Sequence, residues 1–152
     1  MPARILVTIG NARDPAELGP LPPSVHVEQW VPQAAVMPHA AAMVGHGGSG
    51  STLTALNWAV PMALVPLFAD QDTNSRLVAE AGAGVALDGG PEAVSGRLTS
   101  AVRGILDNPS YRAGAARVRD EIAALAPVEN AVAVLAGLAR EQPRAALGAA
   151  PT

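Results

Sequence analysis

The stretch best equipped for chemistry is His46-Gly47-Gly48-Ser49-Gly50-Ser51-Thr52, which sets an imidazole beside glycines and hydroxyls. An apolar run, Ala40 to Val44, precedes it, and Leu53 to Trp58 follows. The spacing predicts a strand, a glycine turn and then the first turn of a helix. The first N–H groups of a helix have no intrahelical partner, and the helix dipole places partial positive charge there. Glycines let the backbone approach an anion closely, and Ser49, Ser51 and Thr52 can add hydroxyl donors. The chemistry this predicts is binding of a phosphate-like anion; the alternative is a flexible turn that binds nothing. The turn is not a Walker A loop, since it lacks the GK[ST] ending and the chain has no lysine at all. Nor is it a hydrolase elbow, because G-x-S-x-G is not met around Ser49.

Positioning such a turn requires a scaffold, and the chain reads as alternating strands and helices. Arg4 to Ile9 is an apolar run that reads as a buried parallel strand. A proline-rich loop, 11–24, carries a helical turn at Pro15-Ala16-Glu17-Leu18, and Val25 to Trp30 alternates as a second strand. A short helix runs from Gln33 to about His39, and a third strand covers Ala41 to Gly45. A helix over Ser51 to Ala59 leads to a fourth strand between Pro61 and Pro66. Thr73 to Ala81 reads as a helix closed by Gly82-Ala83-Gly84, and Val85 to Leu87 as a fifth strand. Helices follow over 91–106, 110–126 and 129–138, with residues 141–152 as a tail beyond a single domain of residues 1–140. This order implies an α/β class with a Rossmann-like, doubly wound parallel sheet. Ligands bind such sheets at the carboxyl ends of the strands. Asn11, then Trp30 and Gln33, then His46 to Ser51, then Asp70 and Gln71 fall at four successive strand ends.

Composition narrows the classes further. The chain has 152 residues, 49% apolar and 15% charged, which supports a packed core rather than disorder. Aromatics are only 3%, so the core must be aliphatic. The formal net charge of −3 argues against a nucleic-acid surface. With no cysteine there is no disulfide, thiolate metal site or cysteine nucleophile. No run approaches the roughly 20 apolar residues that span a membrane, so a cytoplasmic protein without membrane association is expected. A dinucleotide-dependent dehydrogenase would need G-x-G-x-x-G after the first strand, where only Gly10 stands.

The ordered set Trp30-Val31-Pro32-Gln33, His46 to Ser51, Val60-Pro61, Pro66, Asp70-Gln71 and Asn74 resembles the donor-sugar signature of family 1 glycosyltransferases. These are GT-B enzymes with two Rossmann-like domains. Residues 3–139 resemble the C-terminal, nucleotide-sugar-binding half, most closely in bacterial enzymes that add deoxysugars to macrolides and other antibiotics. The resemblance implies that Trp30 stacks on the pyrimidine, that the Val31 backbone pairs with the base edge and that Gln33 contacts ribose or base. It implies a diphosphate grip by His46, Gly48, Ser49, Gly50 and Ser51, and sugar contacts from Asp70, Gln71 and Asn11. Structural roles remain open for several of these: a packed strand-end Trp30, a helix-capping Gln33, and Asp70-Gln71 as a helix N-cap pair.

One departure bears on the nucleotide. Members that use UDP-sugars carry a glutamate where this chain has Thr54. Thr54 has one hydroxyl and no charge, which suits the single 3′-OH of a deoxyribose, so a dTDP-sugar is expected over a UDP-sugar. The resemblance implies transfer with inversion to a hydroxyl of a small natural product. It implies no metal and no cofactor beyond the nucleotide-sugar, with His46 stabilising the leaving group. It places the general base and the acceptor pocket in an N-terminal domain outside this chain. The chain is then the donor-binding half of a larger enzyme or, alternatively, a donor-binding subunit that is inactive without a separate acceptor-domain chain. Its last helix is expected to expose apolar surface and to promote self-association.

Overall fold

The computed structural model describes residues 3–141. Five short strands alternate with helices: β1 (Ile5–Thr8), β2 (Val25–Glu28), α1 (Gln33–Val36), β3 (Met43–Gly45), α2 (Ser49–Asn57), β4 (Met62–Leu64) and α3 (Gln71–Glu80). The series ends with β5 (Gly84–Ala86), α4 (Gly90–Asp107), α5 (Pro109–Ala123) and α6 (Val128–Glu141). Glu141 closes α6, and the expected tail beyond it lies outside the described residues. Single 3₁₀ turns occupy Pro15–Leu18, capped by the Asp14 side chain, and Met37–His39.

All strand pairs are parallel, as expected for the α/β class. They form two ladders: β1 pairs with β2, and β3-β4-β5 form the other. The second ladder holds the core. β4 is buried on both faces, and Met62 and Leu64 have no exposed surface. Around it pack Met37, Met43, Ala55, Leu56, Val60, Val78, Ala83 and Ala115, an aliphatic core of the expected kind. α5 crosses against the turn that ends α3, with Gly114 so close to the Gly82 carbonyl that no side chain fits. Arg112 of α5 donates to the carbonyls of Ala59 (3.3 Å), Ala40 (3.2 Å) and Ala41 (2.9 Å), tying α5 to the approaches of β3 and β4.

Two expectations shift. α2 starts at Ser49 rather than Ser51, because Gly48 already adopts the extended conformation of an N-cap (φ −63°, ψ 137°). β1 is largely exposed instead of buried on both faces. Its only partner among the described residues is β2, whose own side chains alternate between half-buried valines and exposed His26 and Glu28. No single helix among the described residues is long and apolar enough to cross a membrane.

Candidate functional site

The turn between β3 and α2 is His46-Gly47-Gly48. Gly47 is buried and adopts φ +84°, in the left-handed region that favours glycine. A Cβ there would lie 2.5 Å from Ser75 Oγ and 2.9 Å from the Gln71 carbonyl oxygen, so space excludes a side chain as well. Gly48 caps α2 without any side-chain hydrogen bond. The Thr52 amide makes the first helical bond, to the Gly48 carbonyl at 3.0 Å. The amides of Ser49, Gly50 and Ser51 therefore lack intrahelical partners, and no side chain caps them. His46 is exposed, and its Nε2 lies 2.5 Å from where a Cβ on Gly48 would sit. The imidazole thus folds against the glycine that opens the helix. A ring nitrogen and three free amides meet at one helix start, an arrangement suited to an anion.

The loop after β4 braces this turn. Asn74 Nδ2 donates to the Gly47 carbonyl (2.9 Å) and to Asp70 Oδ2 (3.0 Å). Gln71 is 4% exposed, and its Oε1 accepts from the amides of Leu67 (2.9 Å) and Phe68 (3.1 Å). Its carbonyl oxygen is therefore committed to shaping the loop. Asp70 is exposed and makes no side-chain cap bond to α3, so the N-cap alternative for its carboxylate is not realised. Ala69, directly before it, holds φ +57°, a left-handed conformation unusual for a residue with a Cβ. Ser75 Oγ and Thr52 Oγ1 are buried without hydrogen-bond partners beneath this region.

Thr54 stands one turn into α2, and its Oγ1 donates to the Gly50 carbonyl at 2.8 Å. Its hydroxyl proton is thereby engaged, and the oxygen is left as an acceptor. At the end of the first ladder, Asn11 and Trp30 line one shallow depression together with Asp14, Pro15, Glu28 and Gln29. Trp30 is 68% exposed, so it is not a packed strand-end residue. Val31 is half-buried, and Gln33 is the exposed first residue of α1. The structure thus makes two groups of the expected residues: Trp30 with Asn11, and His46, Gly48, Ser49, Gly50 and Ser51 with Asp70, Gln71 and Asn74. No hydrogen bond among the described residues joins the two groups. Among the described residues no three or more histidine or carboxylate side chains converge as metal ligands.

Sequence reasoning overlooked Phe68. It is 72% exposed and lines a second depression with Pro66, Leu67, Ala69, Asp72, Asp88 and Gly89. It is the sole phenylalanine of the chain, placed directly after the fourth strand, and that was the available signal.

Parallel strands, flanking helices and a glycine turn at the carboxyl end of β3 define one Rossmann-like half of a GT-B glycosyltransferase. Solved glycosyltransferases share this architecture. VinC, in complex with dTDP, superposes with a TM-score of 0.84 at 31% identity, over 93% of this chain and 35% of its own. The calicheamicin glycosyltransferase CalG4 gives 0.79 at 34% identity, over 92% and 37%. Residues 1–136 match the family described as erythromycin biosynthesis protein CIII-like, C-terminal domain, and the chain belongs to that family. Among curated relatives, the elloramycin glycosyltransferase of Streptomyces olivaceus is 42% identical over 85% of this chain and 32% of its own length. The 4′-demethylrebeccamycin synthase of Lentzea aerocolonigenes is 38% identical over 90% and 32%. The chain therefore spans about a third of the length of the curated relatives it matches.

Proposed function

We propose that this chain is the donor-binding half of an inverting glycosyltransferase that moves a sugar, carried on dTDP, to a hydroxyl of a small natural product. The observation that carries the reading is the uncapped start of α2, where the amides of Ser49, Gly50 and Ser51 and the His46 ring converge on one point. A diphosphate seated there gains negative charge as the glycosidic bond breaks. Preorganised donors stabilise that charge best in the transition state, so the cradle acts on the leaving group. Trp30 offers an exposed π-face for the base, and Thr54 offers one acceptor for one ribose hydroxyl. Asp70, exposed beside the glycine turn, is suited to accept from sugar hydroxyls, with Asn11 placed near the base end. Gln71 acts through the loop that it holds.

Deprotonating the acceptor requires a general base. His26 sits on β2 bound to Glu28 at 2.7 Å, and His39 ends a 3₁₀ turn, so neither stands at the cradle. An N-terminal acceptor domain supplies the base in this proposal, and relatives three times as long are consistent with it. The test is calorimetric titration of the chain with dTDP and UDP, alongside a transfer assay with a dTDP-sugar and an acceptor. Tighter binding of dTDP with no transfer is expected. UDP binding as tight as dTDP would overturn the nucleotide assignment, and transfer by this chain alone would overturn the placement of the base.

A further inference from the structure

Neither ladder is complete. β1 bonds only to β2, and β3 bonds only to β4. In a strand, alternate residues turn their N–H and C=O to opposite edges. The amides of Ile5 and Ile9 donate toward β2, to Ser24 (2.8 Å) and Glu28 (3.1 Å), so Leu6 and Thr8 face the other way. On β3, Met43 donates to Pro61 (3.0 Å) and Gly45 accepts from Val65 (2.8 Å), so Val44 faces away from β4. Parallel sheets occur almost only where both faces and both neighbours are covered. Here the unpaired edges carry apolar side chains in water: Ile5 is 49% exposed, Leu6 40% and Val44 50%.

Chain order shows where the sheet is interrupted. From β1 the chain steps outward to β2, and from β3 it steps to β4 and then β5. This is doubly wound order, which reverses between β1 and β3. The two strands that flank the reversal are the two with free edges. We propose that one further parallel strand, supplied by a covalently linked segment of polypeptide outside these 152 residues, lies between β1 and β3 and joins the two ladders into one sheet. It is an apolar, β-branched run of about five residues, because both of its faces continue buried parallel surface. A second copy of this chain is the wrong occupant: two-fold symmetry pairs like edges antiparallel, whereas both edges here call for a parallel neighbour. Relatives three times as long carry ample chain to supply the strand.

Amide hydrogen exchange by NMR tests this in two proteins. The first is the 152-residue chain. The second is the same chain preceded by the roughly 40 residues that lie upstream of the matched region in the elloramycin glycosyltransferase, enough for a strand and its crossover helix. In the first, the amides of Leu6, Thr8 and Val44 are expected to exchange about a hundredfold faster than those of Ile5, Ile9 and Met43 on the same strands. In the second, that difference is expected to vanish. Equal protection on both edges in the chain alone would mean that β1 and β3 pair directly, and would overturn the proposal. Protection that appears only as protein concentration rises would assign the edges to a second copy, and an extended chain whose three amides still exchange fast would also refute it. Exchange reads backbone pairing alone, so the outcome is independent of nucleotide binding.

Discussion

At the scale of single residues, two neighbours in the turn separate binding from stability. His46 is exposed and holds no partner the fold depends on. His46→Ala is expected to weaken dTDP binding about tenfold, the loss of one hydrogen bond to a charged group, and to leave the unfolding midpoint unchanged. Calorimetry and a thermal melt read the two effects. Gly47 behaves in the opposite way. A methyl group there meets Ser75 Oγ at 2.5 Å while the backbone holds φ +84°. Gly47→Ala is expected to cost about 2–3 kcal/mol in urea denaturation, combining left-handed strain with overpacking. Trp30 makes a third case, because its role touches the base alone. Trp30→Ala is expected to lower dTDP affinity by about 1–3 kcal/mol, the worth of a stacked base, with pyrophosphate affinity unchanged. Equal losses for both ligands would place Trp30 in the phosphate grip instead.

At the scale of elements, the loop between β4 and α3 governs the glycine turn. Gln71 gathers the Leu67 and Phe68 amides, and Asn74 carries the constraint across to the Gly47 carbonyl. Removing the buried amide in Gln71→Ala strands two N–H groups, at about 1–3 kcal/mol. Urea denaturation of Gln71→Ala should show that loss, with dTDP affinity falling as well, although Gln71 touches no ligand in this reading. The alternation of strands and helices was legible in the sequence because proline, glycine and apolar runs punctuate it clearly. The anion cradle was legible for the same reason: glycine and serine at a strand-to-helix junction have few other uses. Thr54 and Gln71 were only half legible. Their residue types announce polar contacts, but a helix-internal bond to Gly50 and a loop clasp are decided by backbone geometry. α2 begins two residues early because an extended glycine caps it, and propensity scales do not favour glycine for that position over serine. The exposure of β1 was not legible at all, since an apolar run states its preference for burial and not whether a neighbour is present to bury it.

At the scale of the whole molecule, α6 is the element least reconciled with water. Val128, Val132, Leu135 and Leu138 recur at helical spacing, and all are exposed, between 55% and 72%. Leu125, just before the helix, extends the same apolar surface. An amphipathic helix is stable in a domain when its apolar stripe meets a core, and this stripe meets none. Contiguous exposed patches of this kind drive association. The 152-residue chain is therefore expected to self-associate at micromolar concentrations, with sedimentation velocity showing weight-average mass rising with concentration. Val132→Asp with Leu135→Asp sets two charges in the middle of the stripe, where burial in an interface would be costly. That variant is expected to sediment as a monomer at the same concentrations and to bind dTDP unchanged, because α6 contributes nothing to the cradle at His46. Were the variant to associate as strongly as the parent, the contact would have to be sought elsewhere, and the free edges of β1 and β3 are the next apolar surface. The two sources are separable, since association through α6 leaves the Leu6 and Val44 amides fast in exchange, whereas edge pairing slows them.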